Sequence, residues 1–70
     1  MKQIPNPNAT IRLIVLNNSV GVVATVYLDA TPAEWKELSG LMHHGPFPGQ
    51  YFQQDSGPNC YKYEWIGREA

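Results

Sequence analysis

The chain has 70 residues, with five Lys and Arg against six Asp and Glu, for a formal net charge of −1. That length allows one domain at most, and basic residues scattered at Lys2, Arg12, Lys36, Lys62 and Arg68 exclude a long nucleic acid as partner. Cys60 is the only cysteine, which excludes an internal disulfide, and the 43% hydrophobic content places the chain among folding sequences.

Residues 1–9 read as an extended lead-in, with Pro5-Asn6-Pro7-Asn8 biased away from helix. No apolar signal core follows Met1-Lys2, and a lone cysteine without one predicts a cytoplasmic protein. The apolar run over 11–28 is interrupted by Arg12 and by Asn17-Asn18-Ser19, so neither a membrane span nor a membrane partner is expected.

Residues 10–70 read as a single small α+β domain. Residues 10–16 and 20–28 are rich in Val, Ile and Leu, and the Asn and Ser between them tolerate tight turns, so they predict a β-hairpin. Closure on Asn18-Ser19 sets Ile11 opposite Val26, Leu13 opposite Ala24 and Val15 opposite Val22. One face is then wholly apolar. The other mixes Arg12 and Thr25 with Ile14, Leu16, Val23 and Tyr27, so the sequence predicts cover there as well, from the chain itself or from a second copy.

Thr31-Pro32-Ala33-Glu34 is a capping box with proline at the first helical position. The helix is expected over 32–42, with Trp35, Leu38, Leu41 and Met42 inward. Gly40 offers an earlier stop, but Gly45-Pro46 is the expected one, which sets His43 and His44 in the last turn. Residues 60–66 alternate as a strand, with Tyr61, Tyr63 and Trp65 on one side and Lys62 and Glu64 on the other. Residues 51–54 are a candidate short strand before a turn at Asp55-Ser56-Gly57-Pro58. The expected architecture is ββαβ: a small antiparallel sheet of strand order 2-1-3 with one helix packed on it.

Between Leu41 and Tyr61 the only formal charge is Asp55, while glycines, prolines and aromatic rings abound. A long turn-rich segment is commonly functional, and six of the eight aromatic residues lie between Phe47 and Trp65. Residues 43–58 are therefore the expected contact surface. The candidate binding residues are His43, His44, Phe47, Tyr51, Phe52, Tyr61, Tyr63, Trp65 and Arg68. The strand row of Tyr61, Tyr63 and Trp65 suits base stacking, protein contact or the core of the domain itself.

Other chemistry finds less support. Adjacent histidines on a helix point about 100° apart and seldom share a metal ion, and the usual paired-ligand spacings are absent, so no metal or other cofactor is expected. Prolines in Gly45-Pro46-Phe47-Pro48-Gly49 remove the amide donors that a phosphate cradle needs. The expectation is a non-catalytic binding protein, an inhibitor or adaptor of the kind bacteriophages also carry, working as a homo-oligomer on another protein or a small ligand. The alternatives are a nucleotide or small-molecule binder using the rings with Arg12, Lys62 or Arg68, and a metal-assisted enzyme using His43, His44 and Asp55.

Overall fold

The computed structural model describes residues 2, 3, 8–40 and 45–69. In chain order the elements are β1 (Lys2–Gln3), β2 (Ile11–Asn17), β3 (Gly21–Asp29), α1 (Pro32–Ser39), β4 (Tyr51–Ser56) and β5 (Asn59–Trp65). Every neighbouring pair is antiparallel, and the sheet order is β1-β3-β2-β5-β4.

The class is α+β, but the layout corrects the expected one. Apart from the two-residue β1, the strands run in the order 2-1-4-3 rather than 2-1-3, and the helix is followed by two strands. The C-terminal strand does lie beside the first long strand. The difference is β4, which extends to Ser56 and pairs along β5 from Tyr51↔Glu64 to Ser56↔Asn59. Gly57-Pro58 alone makes the connection. Gly57 has φ +62° at the first loop position, where a two-residue hairpin turn of type II′ needs a glycine. A four-residue turn over 55–58 is thus replaced by a shorter one and a longer strand.

The first hairpin also closes differently. Ile11 pairs with Leu28, Leu13 with Val26 and Val15 with Ala24, two residues along from the expected register. The loop is Asn18-Ser19-Val20, and Gly21 follows it at φ +90°, the left-handed position that a three-residue hairpin loop requires. Asn17 Oδ1 accepts the amides of Ser19 and Val20 at 2.9 and 3.3 Å, which stabilises the turn locally. A bulge at Val15/Leu16 takes up the odd residue. Because a two-residue shift preserves side-chain alternation, the faces are as expected as far as the bulge, but Val22, expected on the face of Val15, pairs instead with Leu16 of the other face.

The helix begins as its capping box dictates. Thr31 Oγ1 accepts the Glu34 amide at 3.1 Å, and Glu34 Oε1 accepts the Thr31 amide at 2.9 Å. It ends earlier than expected, at Ser39. Gly40 takes φ +71° and donates its amide to the Lys36 carbonyl, so the glycine that can adopt the left-handed cap does so before the helix reaches the histidines. Leu41, Met42, His43 and His44 lie outside the described residues.

Trp35 is fully buried and meets Ile11, Ala30 and Trp65, with Leu28, Leu38, Phe52 and Tyr63 packed around them. This core occupies one end of one sheet face. An eight-residue helix is about 12 Å long, whereas the nine residues of β3 reach about 30 Å. The helix is too short to cover that face, so Val15 and Tyr61 stay half-buried and Ala24 exposed.

Candidate functional site

Residues 45–50, within the segment expected to make contacts, form a stiff turn stapled to the core. Gly45 has φ +105°, and a Cβ there would lie 3.0 Å from Gln50 Oε1 and 3.1 Å from the Phe47 nitrogen. Pro46 is buried. Phe47-Pro48-Gly49-Gln50 closes on a 3.0 Å bond from the Gln50 amide to the Phe47 carbonyl. Proline in the second place and Gly49 at φ +92° in the third are what a type II turn requires. The Gly49 amide then donates to the Trp65 carbonyl at 2.9 Å, and the Trp65 amide donates to the Gln50 carbonyl at 2.8 Å. Finally, Trp35 Nε1 donates to Gln50 Oε1 at 2.8 Å. The backbone of 45–50 is thereby fixed to the helix and to β5, and Phe47 and Tyr51 remain 40% and 66% exposed beside it.

The other predicted rings divide between core and surface. Trp65 is 2% exposed and donates its Nε1–H to the Arg68 carbonyl at 2.9 Å. It lies 5.7 Å from the Trp35 ring. Phe52 stacks on Tyr63 with centroids 4.6 Å apart and meets Trp35 edge-on at 5.2 Å. Phe52, expected as a contact, and Tyr63 and Trp65, for which core and contact were both open, therefore hold the domain together, since a core this small must recruit every ring the sheet directs toward the helix. Tyr61 lies on the same face beyond the helix and is half-buried. Arg68 is exposed, and its carbonyl, bonded to Trp65, has a structural part.

The opposite face carries a shallow groove of about 240 Å³ lined by Arg12, Ile14, Gly49, Tyr51, Lys62, Tyr63 and Glu64. Strand pairing builds it: Arg12 lies opposite Glu64, Glu64 opposite Tyr51, and Ile14 opposite Lys62. Arg12 Nη2 donates to Glu64 Oε1 at 2.6 Å. The hydrogen bond and the charge of Glu64 raise the guanidinium pKa above its usual value, with a smaller contribution from Tyr27. Arg12 Nε is shielded from solvent and has no hydrogen-bond partner among the described residues. The groove thus holds two cations, one carboxylate and an exposed ring, a combination that suits a small acidic ligand with a planar part. The sequence pointed to Arg12, Lys62, Tyr51 and Tyr63, and to Gly49 within the 43–58 segment, but not to Ile14 or Glu64. Their signal is the β2–β5 register, which no local pattern encodes.

Asp55 and Cys60 are cross-strand partners. Desolvation raises the Cys60 thiol pKa, and the neighbouring Asp55 carboxylate raises it further, so the thiolate nucleophile is disfavoured. Among the described residues no group of three His, Cys, Asp or Glu side chains is arranged to hold a metal ion. No described helix is long and apolar enough to cross a membrane. No protein-family model, no curated protein and no solved structure matches this chain.

Proposed function

We propose that the chain is a non-catalytic binding protein, an inhibitor or adaptor that works as an assembly of copies and contacts another protein through the 43–58 segment. The observation that carries this reading is the exposure of Phe47, on a turn that is itself pinned to the core, and of Tyr51 beside it at the start of β4. Exposed rings on a rigid frame add contact area with little ordering cost on binding. Anchors of this type contribute about 2 kcal/mol or more each, or about 30-fold in affinity. The test is affinity capture from the native host, with wild type compared with Phe47→Ala/Tyr51→Ala. Loss of the captured partner with an unchanged circular dichroism spectrum supports the reading. Retention of the partner by the double variant refutes it.

A second reading rests on the groove. There Tyr51 would stack on the planar part of a small molecule while Arg12 and Lys62 meet its acidic group. A nucleotide present at about 100 times its dissociation constant would stabilise the fold by about 2.7 kcal/mol. A thermal-shift panel of nucleotides that moves the wild type but not Lys62→Ala supports this alternative, and a panel without any shift rules it out.

A further inference from the structure

We propose that the outer edge of β3 pairs antiparallel with the same edge of a second copy of this chain, joining two sheets into one. The inference deepens the reading of the protein as an assembly of copies, and it assigns the joint to the edge of the sheet farthest from Phe47 and Tyr51. One side of β3 is fully paired with β2, from Asn17↔Gly21 to Ile11↔Leu28. On its other side, among the described residues, Leu28 and Asp29 alone have partners, Gln3 and Lys2 of β1. Residues 21–27 therefore run along the edge of the sheet with no strand beside them among the described residues. Alternate amides and carbonyls of such a run face outward and template another strand.

Protective chemistry is missing from this run. Edges are normally blunted by lysine, proline or inward charge, yet no residue from Leu13 to Leu28 is charged and none is proline. Among the described residues, the bulge near Val22 is the one such device on this edge. The opposite edge, β4, contrasts with it: Gln53, Gln54, Asp55 and Ser56 are all exposed and polar there. Three exposed valines flank the β3 edge, Val20 at 74%, Val22 at 60% and Val23 at 51%. Apolar side chains and unpaired backbone thus coincide on one margin of the molecule.

A second copy fits this margin better than a charged partner does. The run is neutral, so two copies meet without like-charge repulsion. Its middle residue is Ala24, and a two-fold axis there, normal to the sheet, sets Val22 opposite Val26 of the partner subunit. Such an axis keeps both helices on the same side of the joined sheet. A stable interface needs about 800 Å² from each partner, about a sixth of the 4731 Å² this chain exposes. Seven paired residues and three valines supply less than that, which places the dimer in the weak class with a dissociation constant on the order of micromolar.

The test is sedimentation equilibrium of the full chain up to about 100 μM, roughly a hundred times the dissociation constant expected. The wild type is compared with Val22→Lys/Thr25→Lys, two substitutions at exposed positions. Twice the monomer mass for wild type, with self-association at least tenfold weaker in the lysine variant, is the expected result. A wild type that stays monomeric, or a dimer that tolerates both lysines, overturns the proposal. Amide exchange on the wild type gives an answer that requires no variant: protection within residues 21–27 should rise with protein concentration, and protection that is independent of concentration refutes the pairing. Phe47→Ala/Tyr51→Ala should leave the dimer intact, so failure of partner capture and failure of dimerisation are read separately.

Discussion

Replacing Gly45 with alanine should cost far more than replacing Gly21, although both glycines have positive φ. Gly21 sits at φ +90°, and a Cβ added there would meet nothing within 4 Å. Gly21→Ala therefore meets only the backbone strain of a left-handed conformation, about 1–2 kcal/mol. Gly45 at φ +105° has the same strain, and its Cβ would also press on Gln50 Oε1 at 3.0 Å. That oxygen accepts the bond from Trp35 Nε1, and Trp35 is fully buried. Displacing Gln50 leaves a buried indole N–H unpaired, which costs about 1–3 kcal/mol more. The sum for Gly45→Ala is about 2–5 kcal/mol, set against a total stability of about 4–10 kcal/mol for a domain of this size. Urea unfolding followed by tryptophan fluorescence measures both variants, and each kcal/mol corresponds to about 4–8 °C in Tm. A double-mutant cycle with Gln50→Ala locates the excess. If the clash acts through Gln50, the combined variant costs less than the sum of the singles. Equal costs for the two glycines, or strict additivity with Gln50→Ala, would refute the reasoning.

Thr31→Ala removes the acceptor for the Glu34 amide and should cost about 1 kcal/mol, with Thr31→Ser close to neutral, both read by urea unfolding. Glu64→Gln weakens a pair whose side chains are 39% and 35% exposed, so the loss should be only about 0.2–1 kcal/mol and should shrink in about 1 M salt. Iodoacetamide labelling of Cys60 should show its inflection above the ordinary thiol pKa, because burial and then the Asp55 carboxylate both disfavour the thiolate. Asp55→Asn should move that inflection down, and an upward or absent shift would contradict the assignment.

The elements legible from the sequence were those with local causes. The capping box at Thr31 and Glu34 positioned the helix start, and alternation in Tyr61-Lys62-Tyr63-Glu64-Trp65 gave both faces of β5 correctly. The errors lie where a glycine sets a boundary other than the expected one. Gly40 ended the helix although Gly45-Pro46 was the expected stop, and Gly21 lengthened the hairpin loop and moved its register by two. In both places the chain uses a glycine in the left-handed conformation, φ +71° at Gly40 and φ +90° at Gly21. The 45–50 turn was legible as stiff, but the division of the nearby rings was not. Phe52 faces inward and Tyr51 outward because the β4–β5 register sets them opposite Tyr63 and Glu64. The groove of Arg12, Lys62 and Glu64 is wholly a product of pairing between residues about 50 positions apart.

Site-specific photocrosslinking in the native host reads the proposed contact surface without a prior choice of partner. A benzophenone side chain is introduced in turn at Phe47, at Tyr51 and at Lys36, an exposed position on the outer side of the helix. Adducts to a second protein at 47 and 51, with none at 36, are the predicted result. No adduct at 47 or 51, or equal labelling from 36, would contradict a binding function for this turn.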